Sequence, residues 1–460
     1  MSDTNIISAG IEAHTQQDCE LPPSLAVAPT PHQHELLKFH SAPLSSHLLK
    51  ITVEVSPTVQ QTLREQSLEL FRANSLDGFD RNLLPITYIH ELYGGEIKNK
   101  IKYYVLHHLV IDFIMQEVMA RKINLANYPR LATIDMRPDD SIVYHFDVSV
   151  ADPIELKEWK HFSFKSPKRK KYKDLDKQVV SFMENRGNHA KKQQLNIVEP
   201  NDWVLFDATM VTSGRKPVLP ELPSSFWIYT GQQHVTGHFV SELFNKSAEN
   251  SFTTNSFGLR NQDSRIENRQ YNFMVTIRAI VKGSHFSVDT FKGTFKLKNK
   301  VEIHNKLMEI FSYRNDISQR RAIIEEMFHL LLSKHRFEVP KHLVLRRQED
   351  IVQSLVAQPD YHVYKSHDNF SEYIEMLAEK QLKEEVLVDQ IAYNEGMKVE
   401  FRDAYQYLHL FSNKKLSEFI YFRPTTESMH DLENPINVST LAQAVWREKT
   451  LNFIIHTLTK

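Results

Sequence analysis

The stretch ITYIHELYGGEIKNKIKYYVLHHLVIDFIMQEVMARK, residues 86–122, decides the reading of this 460-residue chain. Ile97, Ile101, Val105, Leu109 and Phe113 recur every four residues, and Ile114 and Val118 widen the stripe, so a long helix carries an apolar face. Upstream, LLKITVEVS at 48–56 alternates apolar and polar side chains through Leu49, Ile51, Val53 and Val55, the period of a half-buried strand. A helix is predicted over 57–74, with Pro57 in its first turn, and a loop runs from Ser75 to Pro85. Downstream, 131–135 and 141–150 read as strands, the second alternating through Ile142, Tyr144, Phe146, Val148 and Val150. Strand, helix, loop, helix and two strands predict an α+β domain over 48–152.

Residues 1–47 hold no apolar period, and five prolines fall within the first 45, which predicts a disordered tail. His32, His34, His40 and His47 lie there without Cys or clustered carboxylates, so they read as solvated histidines rather than metal ligands. Residues 153–196 form a basic linker and a helix leading toward the C-terminal region, with Lys157, Lys160, Lys165, Lys168, Arg169, Lys170, Lys171 and Lys173 close together. An RNA-phosphate patch and a solvated linker are both open readings of that run. Within it, 174–187 suits a short helix capped by Asp174 and stopped by Gly187.

Residues 197–283 read as a small β-rich unit whose best strands are 202–211 and 271–281. From 284 to 460 the pattern is helical, with helices near 300–313, 316–335, 340–357, 368–395, 400–413, 415–420 and 438–459. The aromatic content of 393–422 exceeds what one thin bundle core requires, which points to exposed apolar surface on this helical part.

Composition excludes several classes. A net charge of −1 gives no global attraction for nucleic acid or membrane. The lone Cys19 makes neither an intrachain disulfide nor a Cys-rich metal site. No run approaches the roughly 20 apolar residues of a membrane span, and the acidic N-terminus lacks the pattern of a secretory signal. The expectation is a cytoplasmic protein with no membrane partner. No Gly-rich phosphate loop, His-Glu-x-x-His motif or nucleophile elbow occurs, so no cofactor and no metal are expected. His107 and His108 are adjacent on a helix and face different ways, which favours helix surface over a two-ligand site.

One region carries a family resemblance. Asp77-Gly78-Phe79-Asp80-Arg81-Asn82-Leu83-Leu84-Pro85 is followed by Tyr93-Gly94-Gly95-Glu96-Ile97. This resembles the trigger factor family of ribosome-associated bacterial chaperones, whose docking loop reads Gly-Phe-Arg-x-Gly-Lys-x-Pro with a Tyr-Gly pair in the next helix. Gly78, Phe79, Pro85, Tyr93 and Gly94 fall in register, whereas Asp80 and Leu83 stand where the family carries basic residues. Tyr172 to Val179, Asp202 to Asp207, and Arg320-Arg321 through Phe337-Glu338-Val339-Pro340 resemble later family segments in the same order, so the likeness extends over about 48–460.

The resemblance implies an α+β multidomain protein: a ribosome-binding-like N-terminal domain, a small FKBP-like inserted domain at 197–283 and a large all-helical C-terminal domain. It implies an ATP-independent chaperone for nascent or unfolded polypeptide, docked near the exit tunnel of the large ribosomal subunit and assisting folding, export and cell division. Gly78, Phe79, Arg81 and Pro85 would be the ribosome-binding residues, and Lys168, Arg169, Lys170 and Lys171 a contact with ribosomal RNA. The expected client contacts are Met397, Phe401, Tyr405, Phe411, Phe419 and Tyr421, for which buried helix packing is the competing reading. The family class also carries peptidyl-prolyl isomerase activity, with Phe239, Tyr271 and Phe257 as candidates. Ala208 replaces the family's strand-end Phe, and Val235-Thr236-Gly237-His238-Phe239 keeps only the glycine of Ile-Pro-Gly-Phe-Glu. Core packing of a small β-domain is therefore the favoured reading of those aromatics. An RNA-binding protein acting through the basic linker is the remaining alternative.

Overall fold

A computed structural model describes residues 29–72, 84–151, 154–165, 177, 179–181, 197–231, 238–256, 271–283, 298–305, 317–356, 359–412, 420–423 and 435–459. The first sheet is antiparallel in the order β1-β2-β4-β3. Its strands are β1 (Leu37–Ser45), β2 (Leu48–Val55), β3 (Arg130–Met136) and β4 (Ile142–Ser149). Ile51 faces Phe146 and Val53 faces Tyr144 across β2 and β4, so the predicted alternations meet on one buried face. Against that face lie α2 (Pro57–Arg72) and the long helix predicted at 86–122.

That long helix is interrupted. It runs as α3 (Ile86–Val105), a π-helical turn (Leu106–Val110) and α4 (Ile111–Ala120). Tyr104, Val105, His108, Leu109 and Val110 are all buried, so this stretch is enclosed on more than one side. The expectation that His107-His108 is helix surface fails at His108. Its ring stacks on Tyr104 at 4.4 Å and on Phe273 at 5.5 Å, and its Nδ1 lies 2.9 Å from Ser224 Oγ.

The second sheet explains that enclosure. It is antiparallel in the order β7-β8-β5-β6-β9. Its strands are β5 (Trp203–Val211), β6 (Ser224–Tyr229), β7 (Ser251–Thr254), β8 (Asn272–Val281) and β9 (Ile436–Asn437). The two strands predicted best are β5 and β8. A bulge in β8 pairs Leu205 with Ala279 but Phe206 with Ile277, leaving Arg278 as the extra residue. A one-residue slip exchanges the faces of a strand. Phe273, Val275 and Ile277 therefore join the core shared with α3, while Ala279 and Val281 join Trp203, Leu205 and Trp227 on the opposite face. At the base, buried Lys282 bonds Asp202 at 2.8 Å and Glu199 at 3.0 Å, joining the two ends of the 197–283 segment.

The helical part contains α6 (Ile317–Lys334), α7 (Lys341–Val356), α8 (Tyr361–Lys365), α9 (Phe370–Asn394), α10 (Phe401–Ser412) and α11 (Val438–Leu458). Gly396 ends α9 in the left-handed conformation at φ +62°, with Met397 N–H closing on Ala392 C=O at 2.9 Å.

Several expectations need correction. Residues 31–45, assigned to a disordered tail, form the helix α1 (Pro31–Leu36) and strand β1. Thr30 caps α1 in a reciprocal box with Gln33, and Leu37 and Phe39 anchor the strand in the core. The 197–283 segment is not self-contained: its sheet takes β9 from the C-terminal region, and its face packs on α3. Most of the loop from Ser75 to Pro85 lies outside the described residues, but the helix before it reaches the middle segment. Ser67 of α2 bonds Tyr271 at 2.6 Å. Of the helices predicted at 300–313 and 174–187, residues 300–305, 177 and 179–181 are described and helical. Residues 415–419 lie outside the described residues, and Ile420 is not helical.

Candidate functional site

Gly78, Phe79 and Arg81 lie outside the described residues, as does Asp80. Pro85 stands exposed before α3, with Leu84 buried beneath it. Phe71 and Tyr93 join α2 to α3 on either side of the loop, their rings 4.9 Å apart. The first turns of α3 expose Ile86, Tyr88 and Leu92.

The isomerase candidates do not form an open cup among the described residues. Phe239, on α5 (His238–Leu243), is buried 5.2 Å from the Phe206 ring. Tyr271 bonds Ser67, and burial pushes its hydroxyl pKa up to about 12. Phe257 lies outside the described residues. The face of β5, β6 and β8 that carries Phe206, Phe226 and Phe273 is filled by Tyr104 and His108 of the interrupted helix. Burial, reinforced by His107, lowers the His108 pKa to about 3, so this imidazole is neutral.

The expected client contacts that are described pack against the fold. Phe401 is buried, its ring 6.0 Å from Trp227, and Phe411 lies 5.9 Å from Trp203. Met397 and Tyr405 pack against the same core, and the Met397 carbonyl accepts the Trp446 indole N–H at 2.9 Å. Tyr421 packs on Phe328 and donates its hydroxyl to Glu384 at 2.6 Å. Phe419 lies outside the described residues. Phe401, Tyr405 and Phe411 cover the second buried face of the sheet, a face that a bundle-only reading of the C-terminal region did not anticipate.

Lys168, Arg169, Lys170 and Lys171 also lie outside the described residues. Of the neighbouring bases, Lys160 is paired with Glu395 at 2.7 Å. Among the described residues no cluster of His, Cys, Asp or Glu could hold a metal ion, and no helix is long and apolar enough to cross a membrane.

Exposed apolar side chains concentrate elsewhere, on α7, α8 and the first turns of α9. Leu345, Val356, Val363 and Tyr364 stand exposed, and Tyr373 and Met376 keep 67% and 69% of their surface. Sequence reasoning missed them, although the signal is present. Phe370, Tyr373, Ile374, Met376 and Leu377 cover more than one face of a helix, more than a single packing partner can bury. The root of α9 is built differently. Arg447 of α11 grips Asp389 through two bonds of 2.8 and 2.7 Å and reaches Glu385 at 3.0 Å; Arg347 of α7 meets Glu385 at 2.9 Å. Glu448 accepts the backbone N–H groups of Tyr421 and Phe422, each at 3.0 Å, and pairs with Arg320 at 2.7 Å. Glu384 is buried beside them, and burial raises its pKa to about 7 against the smaller opposing effects of Tyr421 and Lys380.

A rigidly rooted pair of helices with apolar side chains left in water can hold another polypeptide by many weak contacts. A family model described as bacterial trigger factor protein matches residues 38–182. The trigger factor of Rickettsia canadensis (strain McKiel) is 19% identical over 377 residues, covering 80% of this chain and 80% of its own. That of Baumannia cicadellinicola subsp. Homalodisca coagulata is 20% identical over 365 residues, covering 78% and 79%. A solved structure concerned with promiscuous substrate recognition by the trigger factor chaperone covers 91% of this chain and 99% of its own. Its identity is 12% and its TM-score 0.34, too low to bear on the fold.

Proposed function

The chain is a divergent member of the trigger factor family, and from that premise we propose that it is an ATP-independent chaperone that holds nascent or unfolded polypeptide near the ribosome in the cytoplasm. The observation that carries the reading is the exposed apolar set on α7, α8 and α9 above an ion-paired root. Surface of this kind binds promiscuously, because no single contact demands one sequence. Holding an unfolded chain delays its aggregation without a nucleotide cycle.

In this reading the domain at 48–152 docks on the large ribosomal subunit through Gly78, Phe79, Arg81 and Pro85, with Lys168 to Lys171 available to ribosomal RNA. The helical part holds the client. The family match over 38–182 includes the loop and supports this assignment. Asp80 places an anion where the family carries a cation, which weakens attraction to a phosphate-rich partner.

The test is aggregation of a chemically unfolded protein on dilution, with and without the chain and with no nucleotide present. Wild type suppresses the light scattering, and the Tyr373→Ser/Met376→Ser variant suppresses it less. Equal scattering with and without wild type would refute the chaperone reading. Cosedimentation with ribosomes at several salt concentrations tests the anchor: Asp80→Arg is expected to bind more tightly than wild type.

A further inference from the structure

Helix α3 carries a second apolar stripe besides the one that enters the core. Ile89, Ile97 and Ile101 are buried on its inner side. Pro85, Tyr88, Leu92 and Gly95 follow one another at spacings of three, four and three residues, which sets them along one face. All four are exposed, and Leu92 keeps 54% of its surface. An exposed Leu is ordinary by itself, so the weight falls on the glycines. Gly94 and Gly95 lie inside the helix, where glycine is the weakest former after proline. The fold does not ask for either of them. Among the described residues a Cβ built on them meets nothing within 4 Å, and neither adopts the left-handed conformation. A glycine that neither a turn nor an internal contact requires leaves room for something outside to come close.

The position of the stripe says what covers it. It starts at Pro85, the last residue of the loop assigned to ribosome docking, so a partner of that loop lies beside it. Residues 86–97 contain no Lys or Arg, and their acids are Glu91, which is exposed, and Glu96. Such a face gains nothing from RNA phosphates, which attract cations and repel carboxylates. The loop has lost the same attraction, since Asp80 and Leu83 stand where the family carries basic residues. Apolar contact with a protein surface then has to supply the affinity.

We propose that the outer stripe of α3, formed by Pro85, Tyr88, Leu92 and Gly95, extends the docking loop as an apolar contact for a protein surface of the large ribosomal subunit, seated so close that Gly95 must lack a side chain. The inference rests on the ribosome-docking reading and deepens it. Leu92 and the Tyr88 ring flank the partner, and the bare backbone at Gly95 lets it approach to van der Waals distance along the helix. Contacts of this kind are not screened by salt, which separates them from phosphate contacts.

The experiment is cosedimentation of the full chain with purified ribosomes at about 50 and about 200 mM salt. Gly95→Leu puts a good helix former into open space, so the melting temperature is expected to hold or rise. Ribosome affinity is nevertheless expected to fall by about ten-fold or more. Leu92→Ser is expected to lower it by about five-fold or more, and it decides alone should Gly95→Leu fail to fold. Each loss is expected to be the same at both salt concentrations. A loss that disappears at the higher one would mark a phosphate contact and overturn the proposal. Unchanged ribosome binding by the folded variants also overturns it. A change in the chain's own sedimentation would then name a second copy as the occupant, and weaker aggregation suppression would name a client. If wild type does not cosediment, the docking reading falls and this inference with it. Wild type that binds beside unaffected variants removes only the inference.

Discussion

The two halves of α9 obey opposite rules. Its root buries Val386, Leu387 and Val388 completely, and beside them sit Glu384, Glu385 and Asp389, three acids that water would otherwise hold. Its first turns leave Tyr373 and Met376 in solvent. Ordinary folding would reverse both choices, placing the acids outside and the apolar groups inside. The arrangement makes sense if the root fixes where the helix goes and the tip is reserved for another chain. Arg447 is the centre of the root, since it alone pairs with both Asp389 and Glu385 from α11. An ion pair buried this way adds little net stability compared with a hydrophobic replacement, but losing one partner is costly.

The sharpest way to break the contrast is therefore Arg447→Ala. It leaves Asp389 without its counter-charge and Glu385 with Arg347 alone, and the expected loss is about 3–5 kcal/mol in chemical denaturation. A loss under about 1 kcal/mol would mean that the root is not the rigid element argued above. A smaller effect of opposite sign is expected at Glu384. Its folded pKa of about 7 lies above the ordinary 4.5, so between those values the folded state keeps a proton that the unfolded state has released. Stability from this group is complete below pH 4.5 and is lost as pH rises through 7. Glu384→Gln keeps an acceptor for the Tyr421 hydroxyl and cannot ionise. It should stabilise the chain by roughly 2–3 kcal/mol at pH 8 and by much less at pH 5. Denaturation midpoints that shift equally at both pH values would exclude a buried, titrating carboxyl.

The same contrast shows what the amino-acid pattern made legible. Strand β2 was readable because a single periodicity of two describes its burial. Strand β1 was not, because only Leu37 and Phe39 alternate into the core before the strand turns outward along an open edge. Two residues, Ile436 and Asn437, are too few to announce β9. The packing of Phe401 and its neighbours on the sheet was not legible, because the C-terminal helices were read as a thin bundle. Their aromatics cover a sheet that the Arg278 bulge leaves buried on both faces. The continuous apolar runs Trp203 to Phe206 and Phe226 to Ile228 already carried that message, since a strand exposed on one side alternates. The π-helical turn left no such trace; His108 reads as polar surface until the Ser224 hydroxyl and three aromatic rings surround it.

The smallest effect on stability tests the tip. Tyr373→Ser/Met376→Ser removes side chains that make little of their contact within the fold, so the unfolding free energy should change by no more than about 0.5 kcal/mol. The decisive quantity is the ratio between that change and the loss of client holding. A reserved surface gives a large functional loss at almost no cost in stability. A surface that merely failed to be buried gives neither, and scattered apolar groups of that kind are common on proteins. Measuring denaturation and aggregation suppression on the same preparation separates the two. If both remain at wild-type values, the tip of α9 is inert and the client must be held elsewhere. If stability falls by more than 1–2 kcal/mol while holding is kept, these side chains pack against the fold after all. The contrast with the root then disappears, because both halves of the helix would be serving the fold.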